Sequence, residues 1–80
     1  MQTSYNHEDQ LFLEHLGARI RELRSGIGFS QEKLSHKCGL DRTYIGSVER
    51  GERNIAALNL KKISNALNIS VSELFKFDHE

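Results

Sequence analysis

One short stretch, DRTYIGSVER over residues 41–50, carries the side chains best suited to chemistry. Arg42, Thr43, Gly46, Ser47 and Arg50 are related by steps of three, four and seven, so a helix here would present them on one side. These residue types suit the edges of base pairs. An arginine can donate two hydrogen bonds to guanine, and a threonine brings both a hydroxyl and a methyl that can meet the methyl of thymine. Ile45 and Val48 fall on the other side and would be buried. Gly46 costs about 1 kcal/mol in a helix interior. Either close approach of the backbone to DNA or tight helix packing would explain it.

The elements that must position this stretch follow from periodicity and caps. Residues 1–8 are polar and aperiodic and read as a flexible arm. From Asp9, a plausible N-cap, Phe12, Leu16, Ile20 and Leu23 recur at helical steps with Leu13 beside them, until Ser25-Gly26, where the glycine can turn left-handed. Ser30 caps a second helix, with Glu32 at its positive end and Phe29 placed to pack back onto Leu34. That helix ends at Cys38-Gly39. Asp41 caps a third helix and Gly51 ends it. The loop GERNI leads to a fourth helix with Leu60, Ile63 and Leu67 on one face, and Ser70 with Glu73 forms a capping box for a short fifth helix.

No alternating strand pattern is present. The expected fold is all-α: five compact helices in one domain over residues 9–80. The second and third helices meet at a three-residue turn containing Gly39, which is the helix-turn-helix arrangement, with its second helix placed for the major groove. Leu34 and Cys38 would face inward and Leu40 would plug the turn.

Composition narrows the function classes. Eighty residues with 38% hydrophobic side chains suffice for one small core. No apolar run approaches the length of a membrane span. The start, MQTSYNHEDQ, lacks the charge and apolar pattern of a signal peptide. One cysteine, Cys38, cannot make an internal disulfide, which fits a reducing cytoplasm. On an inward face it reads as a small hydrophobe. His7, His15, His36 and His79 lack zinc spacing, and no nucleophile–base pair or phosphate loop is visible. No enzyme, metal or other cofactor is expected. The net charge is zero, yet residues 18–53 hold eight bases against five acids, so the middle is the basic part.

Residues 16–75 resemble the phage-repressor-like (Cro/C1, or XRE) helix-turn-helix domains. The segments Ser30-Gln31-Glu32, Gly39-Leu40, Glu49-Arg50-Gly51 and Ala66-Leu67-Asn68-Ile69-Ser70 carry the likeness. The stretch DRTYIGSVERGERNI looks most like restriction–modification controller proteins. The resemblance implies that Gln31 contacts a phosphate and that Arg42, Thr43 and Ser47 read bases. It further implies that Tyr44, Arg50 and Arg53 flank them on the DNA backbone. Arg24 and Glu49 match a salt-bridged pair joining the first helix to the recognition helix. Controllers often read Tyr-Ile-Ser-Gly where this chain has Tyr44-Ile45-Gly46-Ser47, so either Gly46 or Ser47 could be the residue that approaches a base.

Near the end of the chain, Ile69, Val71, Leu74, Phe75 and Phe77 concentrate more apolar surface than one short helix can bury. This predicts a homodimer reading a two-fold-symmetric site, since one recognition helix covers few base pairs. The expected partners are double-stranded DNA, a second copy of the chain and RNA polymerase, with no membrane. An antitoxin or phage-type repressor of the same fold is an alternative. So is a protein-interaction module that does not bind DNA, which the zero net charge favours.

Overall fold

The computed structural model describes residues 5–77. Five helices follow one another: α1 (His7–Gly26), α2 (Gln31–Cys38), α3 (Arg42–Glu49), α4 (Ala57–Ala66) and α5 (Val71–Leu74). No strand occurs among the described residues. Side chains of polar residues set most of the starts. Ser30 accepts the N–H of Lys33 at 3.0 Å, Asp41 that of Thr43 at 2.8 Å, and Ser70 that of Glu73 at 3.3 Å.

The start of α1 differs from expectation. Asn6, not Asp9, is its N-cap, and the Asp9 N–H donates to Asn6 Oδ1 at 2.8 Å. His7 and Glu8 are therefore helical rather than part of a loose arm, and Glu8 and Asp9 sit in the first turn, where the helix dipole favours acids. Residues 1–4 of the expected arm lie outside the described residues.

α1 ends at Gly26, where expected, but Gly26 itself is not left-handed. The left-handed residue is Gly28 (φ 79°), and the N–H groups of Gly28 and Phe29 reach back to the carbonyls of Ser25 and Arg24, each at 3.0 Å. This paired closure satisfies two carbonyls that the helix would otherwise leave open. The same closure ends α4, where Asn68 takes the left-handed conformation (φ 61°) in place of glycine.

All five helices feed one core: Leu16 and Ile20 from α1, Leu34 and Cys38 from α2, Ile45 and Val48 from α3, Ile63 with the adjoining Leu67 from α4, and Leu74 from α5. Leu40 packs against it from the turn. Ser35 and Ser64 are buried, each donating its hydroxyl to the carbonyl three residues before it. The inner stripe of α1 is Leu13, Leu16, Gly17 and Ile20. Phe12, expected on that stripe, lies beside it and is exposed, stacking on Phe75 at 6.1 Å between ring centroids.

Gly17 brings α1 and α3 together. An ideal Cβ built there would lie against the Val48 carbonyl oxygen and 2.7 Å from that of Glu49. Only a residue without a side chain permits this approach. Two turns earlier in α1, Gln10 Nε2 donates to the Gly51 carbonyl at 3.0 Å, so α1 also holds the loop that follows α3.

Candidate nucleic-acid interface

Helix α3 is buried along most of its length and open at its two ends. Arg42 and Thr43 are exposed at the start, and Arg50 is exposed just past the end. The Asp41 cap fixes where the helix begins and hence where Arg42 and Thr43 project.

Ser47 was expected on the open face but is buried, with 5% of its surface exposed. Its hydroxyl donates to the Tyr44 carbonyl at 2.7 Å and accepts from Arg53 Nε at 2.9 Å. Geometry explains the difference: five residues along a helix place Ser47 about 140° around from Arg42. Gly46 is also covered. A Cβ there would meet Arg50 Nη1 at 3.3 Å and Gln31 Oε1 at 3.6 Å, so Gly46 forms the floor of a slot across which these two side chains lie. Close packing of side chains thus accounts for this glycine, and neither Gly46 nor Ser47 presents an exposed side chain.

Beneath that slot, Glu49 is almost wholly buried, its side chain 3% exposed. Arg24 Nε and Nη2 donate to its two oxygens at 2.6 and 3.0 Å, and Gln31 Nε2 donates to Oε1 at 3.0 Å. Arg24 Nη1 donates to the Phe29 carbonyl at 2.7 Å. One carboxylate therefore ties α1, α2 and α3 together. The Glu49 hydrogen bond holds the Arg24 pKa above its ordinary value, against the opposing pull of burial. Gln31 opens α2, whose first N–H groups have no partner within the helix, while its side-chain amide is turned to Glu49.

A second group follows α3. The Arg53 guanidinium lies over the Tyr44 ring, 5.4 Å from its centroid, an arrangement in which the ring face attracts the cation. Asn59 Nδ2 of α4 donates to the Tyr44 hydroxyl at 3.2 Å. Arg50 Nε and Nη2 donate to the Glu52 carboxylate at 3.0 and 3.2 Å, and this pair is exposed. The hydrogen bond raises the Arg50 pKa and lowers that of Glu52. Sequence reasoning missed Asn59 and Glu52. Glu52 carried a readable signal, an acid two residues from Arg50 across the Gly51 turn; Asn59 carried none, because its partner is fifteen residues away.

After α5, Phe75 and Phe77 are half-buried and gather with Phe12. Ring centroids are 5.8 Å apart for Phe12–Phe77 and 6.4 Å for Phe75–Phe77, and His15 meets Phe77 edge-on at 6.0 Å. Val71 is exposed and Ile69 half-buried. The Cys38 thiol is buried among core side chains, and burial pushes its pKa up. Among the described residues, no three His, Cys, Asp or Glu side chains are grouped to hold a metal ion. His79 lies outside the described residues. No described helix is long and apolar enough to cross a membrane.

Comparison with known proteins agrees with this architecture. The helix-turn-helix family model HTH_3 matches residues 20–74. Control protein C.BamHI of Bacillus amyloliquefaciens is 45% identical over 62 residues, covering 76% of each chain. The crystal structure of the restriction–modification controller protein C.AhdI from Aeromonas hydrophila superposes with a TM-score of 0.78 at 51% identity, covering 79% of this chain and 96% of that one. SinR, the master regulator for biofilm formation, solved in complex with DNA, gives a TM-score of 0.72 at 34% identity over 76% of this chain and 98% of its own. With α2 and α3 in the helix-turn-helix arrangement and Arg42 and Thr43 open to solvent, the chain belongs to the HTH_3, XRE-type helix-turn-helix family of DNA-binding transcription regulators, which are not enzymes.

Proposed function

We propose that the chain is a restriction–modification controller that binds a two-fold-symmetric operator as a homodimer in the cytoplasm. The observation that carries this reading is the exposed Arg42-Thr43 pair at the capped start of a helix anchored to α1 and α2 through Glu49. In this reading Arg42 and Thr43 contact base edges, and the backbone around Gly46 lies behind them. Gln31, Tyr44, Arg50 and Arg53 hold phosphates on either side. Ser47 serves by holding Arg53, a role different from the base contact first expected. RNA polymerase is the further partner such a regulator would meet at its promoter.

Selection of bound duplexes from a random DNA pool tests this directly. A symmetric consensus supports the reading, and recovery of no sequence preference overturns it. Arg42→Ala is expected to weaken binding to the selected site by about 1–3 kcal/mol and to relax preference at one base pair. An equal loss on every sequence would make Arg42 a phosphate contact instead.

The dimer reading rests on the cluster of Phe12, Phe75 and Phe77, which the chain leaves partly open. Analytical ultracentrifugation at micromolar concentration should show a dimer for the wild type and a monomer for Phe77→Asp. A wild type that stays monomeric at tens of micromolar, yet binds a half-site as tightly as the full operator, would exclude the dimer model.

A further inference from the structure

Arg50 stands at the exposed end of α3 with its guanidinium already engaged. Its side-on edge, Nε and Nη2, is taken up by both oxygens of Glu52 at 3.0 and 3.2 Å. Its Nη1 end is laid back over Gly46, where a Cβ would stand 3.3 Å away. An arginine carries five N–H donors in a rigid planar fork. Two of them are used by Glu52. The end-on edge, formed by Nη1 and the second N–H of Nη2, has no hydrogen bond within the described residues. The pair thus leaves Arg50 able to bind an anion while fixing the direction in which it can do so. Gly46 is part of the device, since it gives the guanidinium room to lie along the helix beside Gln31.

Building on the DNA-binding reading above, we propose that Glu52 is a specificity-determining positioning residue, which confines Arg50 to the one phosphate presented when the duplex is seated in register. An exposed arginine with its full rotamer freedom can grip any phosphate within reach, and such contacts carry no sequence information. A clamped arginine meets a phosphate only when the rest of the interface is in place.

The test compares Glu52→Gln with wild type on two fluorescent duplexes, one recovered by wild-type protein from a random pool and one of mixed random sequence. Both Arg50 and Glu52 are more than half exposed, so the fold is expected to survive, and circular dichroism melts check this. Binding to the random duplex should tighten by about threefold to tenfold, with a salt dependence steeper by about one ion. Binding to the selected duplex should change by less than about twofold, because Arg50 reaches its phosphate in either protein. In an Arg50→Ala background, Glu52→Gln should no longer separate the two duplexes. Equal tightening on both duplexes would show Glu52 to be a bulk charge only and would overturn the proposal, as would no change on either. A wild type that selects no sequence would remove the operator reading and this inference together, whereas a selective wild type with an unselective effect of Glu52→Gln removes this inference alone.

Discussion

Gly17→Ala is expected to destabilise the domain by about 3 kcal/mol or more, although it adds a single methyl group. The new carbon would collide with the carbonyl oxygens of Val48 and Glu49, which belong to the backbone of α3 and cannot rotate away. Relief requires α1 and α3 to separate, and the residues that pack between them, Ile20, Ile45 and Val48, are among the most buried in the protein. A domain of this size is stable by roughly 4–12 kcal/mol, so the loss is a large fraction of the total. The melting temperature should fall by at least about 12 °C. Gly26→Ala is the matched control. It lies at the end of the same helix with nothing within 4 Å and no left-handed backbone, so it should be neutral or stabilising by up to about 1 kcal/mol. If both variants melted within a few degrees of wild type, the backbone contact at Gly17 would not be the constraint described.

Arg24→Ala is expected to cost about 3–5 kcal/mol, because it leaves the Glu49 carboxylate buried with only the Gln31 amide as partner. It also strips the Phe29 carbonyl of its donor. Glu49→Ala should cost less, since Arg24 keeps that carbonyl and is the more exposed of the two at 11% against 3%. The double variant should lose less than the sum of the singles, because no unpaired charge is left behind. Urea denaturation of the four proteins measures the coupling. Strict additivity would mean that the pair contributes nothing as a pair. Which base is preferred should change little in any variant that remains folded, since neither side chain is on the exposed part of α3.

Features governed by local chemistry were legible in the sequence. Ser30, Asp41 and Ser70 cap helices as their types suggest, because the cap bond forms within three residues. Arg24 and Glu49 came from the family resemblance, since 25 residues separate them and nothing local links them. What stayed hidden depended on partners elsewhere in the chain or on angles finer than a step count. Gly17 gave no periodic signal, for its reason lies in the carbonyls of another helix. Phe12 fits the three-and-four spacing of the core stripe, but the residues after α5 offer aromatic rings beside it. Ser47 fits the steps of the open face, yet sits far enough around the helix for its hydroxyl to turn inward. Asn6 follows the single aromatic Tyr5, and the apolar periodicity that marks the helix begins only several residues later.

The attachment of α3 to α1 and α2 also bears on the thermodynamics of docking. With the α1 backbone pressed on α3 at Gly17, and Glu49 bonded to both neighbouring helices, little chain remains to be ordered when a duplex arrives. A surface held this firmly before binding would leave released water and counterions as the main sources of entropy in association. The heat-capacity change on binding should then follow the area covered, without the larger excess that accompanies folding of a disordered segment. Encounter should be set by diffusion and charge, and much of the variation among variants should lie in how fast the complex comes apart.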